Sequence, residues 1–137
     1  MIQILEIKET KGKINRASDL FKKIKRIKID YTQENFLLIC LDTKNKVLKS
    51  EVLFKGGLNS CLIDPKTIFR KALLKNSCKI IAAHNHPSRE LDPSQEDITL
   101  FDKLKEMGDL LDLEVLDSII FNKKEFVSLK ELKGGIK

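Results

Sequence analysis

Residues 80–97, Ile-Ile-Ala-Ala-His-Asn-His-Pro-Ser-Arg-Glu-Leu-Asp-Pro-Ser-Gln-Glu-Asp, constrain the fold more than any other stretch of the chain. The apolar segment Cys78 to Ala83 reads as a buried strand, and Asp92-Pro93-Ser94 reads as a helix start. Between them lie His84 and His86, the two histidines of the 137-residue sequence. Side chains at i and i+2 of an extended segment point to the same side, so both imidazoles can address one point in space. Zinc favours imidazole nitrogen with carboxylate oxygen as a third ligand. Asp97, eleven residues past His86, is the nearest candidate for that role.

A blander reading stands beside this one. The two rings can simply hydrogen-bond nearby carbonyls. Ser94-Gln95-Glu96-Asp97 is also an S-x-x-D capping box, in which Ser94 caps the helix and Asp97 answers it. The two roles of Asp97 are compatible if Ser94 keeps its capping geometry while Asp97 turns towards a metal.

The rest of the chain supplies a scaffold. Residues 2–9 suggest a strand, and Ser18 is a good N-cap for a helix running to about Ile27. Phe36 to Leu41 is a continuous apolar run, short enough for a strand buried on both faces. Asp42-Thr43-Lys44-Asn45 is turn chemistry, so Val47 to Phe54 returns as a hairpin partner until Gly56-Gly57 breaks it. Asp64-Pro65 opens a helix carrying Ile68, Phe69, Ala72 and Leu73, closed by Asn76. Past the histidines, Ile98, Phe101, Leu104, Met107 and Leu111 form one helical face. Leu113 to Leu116 and Ile119 to Phe121 then read as a strand, Asn122 to Glu125 as a turn, and Phe126 to Leu129 as a last strand. The expected class is α/β, a mixed sheet flanked by helices in a single domain. It divides into an N-terminal strand and helix (1–28), a core (32–130) and a frayed tail (131–137).

Composition narrows the partners. With 42% hydrophobic and 34% charged residues, the chain has the balance of a soluble globular domain. No apolar run approaches the ~20 residues of a membrane span, and the N-terminus lacks a signal-peptide core, so the expected location is cytoplasmic. Cys40, Cys61 and Cys78 form no C-x-x-C pair and are expected as reduced thiols, with Cys40 and Cys78 acting as small hydrophobes. The net charge of +6 is partly local: Lys22, Lys23, Lys25, Arg26 and Lys28 surround Phe21, Ile24 and Ile27. That pattern is an amphipathic helix with a basic face. It leaves room for nucleic-acid binding but brings no aromatic platform for stacked bases.

Other catalytic patterns fit poorly. The nucleobase-deaminase signature wants H-x-E with P-C-x-x-C. No H-E-x-x-H, no Gly-rich phosphate loop and no G-x-S-x-G elbow is present.

His84-x-His86, seven residues, Ser94, two residues, Asp97 resembles the H-x-H-x7-S-x2-D signature of the JAMM metalloproteases, the JAB/MPN-type zinc hydrolases. The wider text is similar to the JAB domain of the RadC family. The likeness covers His84 to Ser88, Pro93 to Ile98, Leu116-Asp117, Glu34-Asn35-Phe36 and Asp64-Pro65, across roughly residues 15 to 132. The resemblance implies a cytidine-deaminase-like fold and one zinc on His84, His86 and Asp97, with a water in the fourth position. It further implies Ser94 hydrogen-bonding an oxyanion, Glu34 as general base, and a peptide or protein substrate. Glu51 also opens a strand, and the residues alone do not separate it from Glu34. Arg89 stands where the family usually has Gly, which implies a stiffer loop or one carrying a phosphate- or carboxylate-binding charge. Asp117-Ser118 stands where it commonly has Asp-His, so a histidine role is lost there. Full-length RadC relatives carry an N-terminal helix-hairpin-helix domain that these residues do not include, which weakens an inference of DNA binding or a DNA-repair role. A zinc-binding scaffold without turnover is the remaining alternative.

Overall fold

The computed structural model describes residues 3–5, 13–56 and 63–135. Cys61, Gly57, Ile2, residues 6–9 of the expected first strand, and the last two residues of the tail lie outside them. In chain order the elements are β1 (Gln3–Leu5), α1 (Ala17–Ile24), β2 (Glu34–Leu41), β3 (Val47–Gly56), α2 (Pro65–Leu74), β4 (Lys79–Asn85), α3 (Gln95–Leu111), β5 (Glu114–Phe121), β6 (Phe126–Ser128) and α4 (Leu129–Gly135). The strands form one six-stranded sheet in the order β1-β3-β2-β4-β5-β6. Among the described strands only β4 and β5 run parallel, joined by α3 as the long crossover such pairs require. The architecture is the α/β mixed sheet flanked by helices that the strand and helix pattern implies.

The unbroken apolar run of β2 follows from burial on two sides. Phe36, Leu38 and Cys40 pack with Ile68, Phe69 and Ala72 of α2 and with Phe101 and Leu104 of α3. Leu37, Ile39 and Leu41 pack with Ala17, Leu20, Phe21 and Ile24 of α1 on the opposite face. Each fully buried Leu, Ile or Phe contributes roughly 1.5–3 kcal/mol, so the two layers hold the sheet rigid. Asp42 Oδ1 accepts from the N–H groups of Lys44 and Lys46 at 2.8 and 2.9 Å and closes the β2–β3 turn. Asp64 caps α2 through Lys66 N–H at 3.0 Å, with Pro65 at the first helical position.

Several features differ from those expected. Helix α1 starts two residues earlier than a Ser18 cap allows, with Arg16 at the N-cap, because the Asp19 carboxylate reaches back to the N–H groups of Asn15 and Arg16 at 3.0 and 3.1 Å. It ends at Ile24, where the chain turns. On α3, Leu111 is exposed rather than buried, and the buried line of Phe101, Leu104 and Gly108 stops before it. The expected frayed tail is instead the helix α4 through Gly135. Its first turn is held from the sheet: Ser128 Oγ accepts from Glu131 N–H at 3.1 Å, and Asp117 on β5 accepts from Lys130 N–H at 3.1 Å.

Cys40 is buried and Cys78 half-buried, and neither forms a disulfide among the described residues. Among those residues no helix is long and apolar enough to cross a membrane.

Candidate metal centre

Strand β4 ends at Asn85, and its C-terminal end is where an open α/β sheet exposes a crevice for ligands. His84 projects on the α2/α3 side of the sheet, its ring stacked beside Phe36 at 6.1 Å and inclined by 16°. His86 follows two residues on, as the i/i+2 spacing predicts, with ring centroids 5.1 Å apart. Helix α3 starts opposite and brings Asp97 between the two. His84 Nε2 lies 3.0 Å from Asp97 Oδ1, and His86 Nε2 lies 3.0 Å from Asp97 Oδ2. One donor atom from each residue falls within 4.8 Å of the other two.

The capping box and the cluster coexist. Ser94 Oγ accepts from Asp97 N–H at 3.1 Å, and Ser94 N–H donates to Asp97 Oδ2 at 2.8 Å. The cap therefore orients the carboxylate towards the rings. Burial alone would raise the Asp97 carboxyl. The rings of His84 and His86 and the Ser94 amide outweigh it and hold the group well below the usual carboxylate range.

The donor chemistry fits a cation. His86 Nδ1 lies 3.0 Å from the Glu90 carbonyl oxygen, which can only accept, so Nδ1 carries the proton. In the neutral ring Nε2 is then a lone pair facing a carboxylate oxygen, an opposition that only a proton or a metal relieves. The Asp97 hydrogen bond accordingly pushes the His86 pKa up, against burial. His84 is 2% exposed, and both its ring nitrogens are buried without a hydrogen-bond partner, although Nε2 sits so close to Asp97. An unaligned 3.0 Å approach is an orphaned polar atom aimed at an anion. Four-coordinate zinc with bonds of about 2.0 Å spaces its donors about 3.3 Å apart, near each ring-to-carboxylate distance of 3.0 Å and inside the 4.8 Å that spans the three donors. A backbone carbonyl fixing the tautomer of a ligating histidine is the usual second layer of such a site.

An open cleft of about 740 Å³ borders the cluster, lined by Glu34, His86, Ser94 and Asp97 among others. Glu34 starts β2, and the antiparallel pairing of Phe36 with His84 carries it towards His86. Burial pushes the Glu34 carboxyl up and Asp97 adds to this, while His84 and His86 pull it down. Glu51 occupies a different place: it pairs with Leu38 within the sheet, is 3% exposed, and does not line the cleft. Ser118 is buried opposite Ala82 and likewise stays off the cleft.

Two features are not evident in the sequence reading. Asn85, between the histidines, points to the other face, where its Oδ1 accepts from Asn35 N–H at 2.8 Å and its Nδ2 donates to the Gln33 carbonyl at 2.9 Å. It thereby grips both neighbours of Glu34. The polar residue inside an apolar strand was the available signal. The second is a neighbouring cavity of about 650 Å³ that shares His86 and is lined by Arg89, Lys123 and Lys124. No local spacing joins positions so far apart.

Residues 14–135 match the family model of the RadC-like JAB domain. A UPF0758 protein of Clostridium perfringens is 44% identical over 122 residues, covering 89% of this chain and 54% of the relative. One from Methanosarcina barkeri is 39% identical over 125 residues, 91% of this chain and 55% of its own. One from Staphylococcus aureus is 44% identical over 119 residues, 87% and 55% respectively. The chain spans about half the length of these curated relatives. The mixed sheet with its flanking helices is consistent with a JAB/MPN-type domain. On the family match over nearly its whole length and on this identity to its relatives, the chain belongs to the RadC-like JAB domain family.

Proposed function

We propose that this protein is a zinc-dependent hydrolase of the JAMM type, cleaving peptide or isopeptide bonds. The observation that carries the reading is the meeting of two imidazoles and a carboxylate at the edge of a cleft that Glu34 and Ser94 also line. His84, His86 and Asp97 would hold the metal. A zinc bound there would bring the pKa of a coordinated water towards about 7 and polarise a carbonyl.

The protein's own residues supply the rest. Glu34, half-buried and with a raised pKa, takes a proton from water as the oxygen attacks the carbonyl carbon, then passes it to the departing amine. Ser94 Oγ already accepts the Asp97 N–H, which leaves its own O–H to donate to the carbonyl oxygen as negative charge grows there. Asn85 keeps Glu34 in register with the histidines.

The test is metal analysis of the purified protein together with cleavage of a quenched-fluorescent peptide library by the wild type and Glu34→Gln. The expected result is about one zinc per chain in both, with cleavage by the variant reduced about 10²–10⁴-fold. Equal cleavage removes Glu34 from the mechanism. Zinc in both without turnover in either favours the scaffold.

A second reading concerns the basic face of α1. The helix buries Leu20, Phe21 and Ile24 and turns Lys22 outward, and Lys25, Arg26 and Lys28 just beyond it are also exposed. Lys23 is half-buried on the same run. Nucleic acid bound there gives a log–log salt slope of about −0.9 per neutralised phosphate on duplex DNA, which shrinks when these residues become Gln. Binding independent of salt rules that interface out.

A further inference from the structure

The cavity on the far side of His86 carries a concentration of positive charge that the hydrolytic cleft does not use. Arg89, Lys123 and Lys124 line it, with Asp30 as the one opposing carboxylate among its described lining residues. Asp30 is already engaged: its oxygens accept from Thr32 N–H, the Thr32 hydroxyl and Gln33 Nε2. None of the three cations makes a salt bridge among the described residues, and Lys123 Nζ rests over the Tyr31 ring at 5.5 Å.

The pocket is built rather than incidental. Asn122 joins its two walls: Nδ2 donates to the Arg89 carbonyl at 3.0 Å, while Oδ1 accepts from the N–H groups of Lys124 and Glu125 at 2.8 and 2.7 Å. Arg89 N–H donates to the His86 carbonyl at 2.8 Å, so the arginine is coupled directly to the metal cluster. Arg89 also holds φ at 71°, a left-handed conformation that glycine adopts without strain and arginine does not. A residue kept there against its backbone preference places a planar, five-donor cation beside the cluster.

We propose that this pocket is an anion subsite that seats an acidic side chain of the polypeptide held in the neighbouring cleft. The inference deepens the hydrolase reading and rests on it for the identity of the ligand. Because His86 lines both cavities, a chain lying across the metal cluster passes from one into the other. Arg89 pairs with a carboxylate through parallel N–H groups, and Lys123 and Lys124 add point charges. A polypeptide is favoured over nucleic acid because Tyr31 is covered by Lys123, and the other ring in the pocket, His86, is held by Asp97 and the Glu90 carbonyl.

The test is a titration of the full chain followed by backbone amide NMR, without any need for turnover. The probes are N-acetyl-diglutamate amide, N-acetyl-diglutamine amide and a decamer of deoxythymidine. The diglutamate is expected to shift the amides of Arg89, Asn122 and Lys124 and to bind about tenfold more tightly than the diglutamine. Arg89→Gly, which relaxes the backbone and so keeps the fold, combined with Lys123→Gln is expected to remove that tenfold preference. Changing Lys22 and Lys25 to Gln leaves it intact. Equal binding of the two dipeptides, or shifts concentrated on α1, overturns the subsite. Tighter binding of the decamer in the same pocket overturns it in favour of nucleic acid. Peptide cleavage without a diglutamate preference sinks the subsite and spares the hydrolase; the converse result does the reverse.

Discussion

Asn85 and Asn35 are locked together across β2 and β4: Asn85 Oδ1 accepts both the backbone N–H and the side-chain Nδ2 of Asn35, at 2.8 and 3.1 Å. The residue between the two histidines thus sets the position of the residue next to Glu34. Asn35 is 1% exposed and Asn85 1%, so these bonds form in a nearly dry layer, where losing a partner costs about 1–3 kcal/mol.

Asn85→Ala is therefore expected to lower stability by about 1–3 kcal/mol and to misplace Glu34. Zinc content should stay near that of the wild type, while kcat falls about 10–10²-fold with a smaller change in KM. Metal analysis beside steady-state kinetics checks the split; lost zinc with unaltered kcat in the loaded fraction contradicts it.

The unaligned approach of His84 Nε2 to Asp97 Oδ1 at 3.0 Å predicts metal-linked stability. Zinc at a hundredfold excess over its dissociation constant should add about 2.7 kcal/mol, raising Tm by about 9 °C for a chain of this size. A chelator reverses the gain. In Asp97→Asn the shift should vanish, as scanning calorimetry would reveal.

Ser94 has two separable jobs. Ser94→Ala removes the cap and is expected to cost about 1 kcal/mol, whereas Ser94→Asp retains a capping oxygen and stays close to wild-type stability. Both lack the hydroxyl donor, so both should lose about 10²–10³ in kcat. Denaturation midpoints set beside kcat separate the roles, and wild-type turnover by Ser94→Asp would dismiss the hydroxyl.

Asp117 makes stability depend on pH. Burial raises its carboxyl pKa, outweighing the hydrogen bonds from Ser128 Oγ, Lys130 N–H and Ser118 N–H. The folded state then binds the proton more tightly than the unfolded chain, where the pKa is about 3.9. That contribution is full below the unfolded value and is lost as pH rises through the folded one. Compared with Asp117→Asn, the wild type should lose stability as pH climbs from about 4 towards neutrality. Urea denaturation at a series of pH values measures the difference, and a gap that widens with pH in favour of the wild type has the wrong sign.

Gly108, in the last turns of α3, lies against the chain entering β5, where Leu113 N–H donates to its carbonyl at 2.8 Å. A Cβ there would fall 2.3 Å from the Leu113 carbonyl oxygen, a backbone atom that cannot swing aside. Gly108→Ala is expected to destabilise by about 1–3 kcal/mol despite alanine's better helix propensity. A stabilised variant in thermal denaturation refutes the close approach.

Residue spacing alone specifies what is local. Two histidines at i and i+2 on a strand exit, and a serine and aspartate spaced to cap a helix, specify side-chain direction through backbone geometry alone. The Asp64-Pro65 start and the doubly buried β2 were legible for the same reason. What depends on register between distant segments emerges only in the folded sheet. Pairing of Phe36 with His84 carries Glu34 to the cleft and leaves Glu51 inside the sheet. Asp117 and Ser128 convert an expected ragged tail into α4, and Asn122 brings Arg89 beside Lys123. Such contacts cross tens of residues, and no local spacing encodes them, because they exist only once the sheet has closed and its two faces are filled.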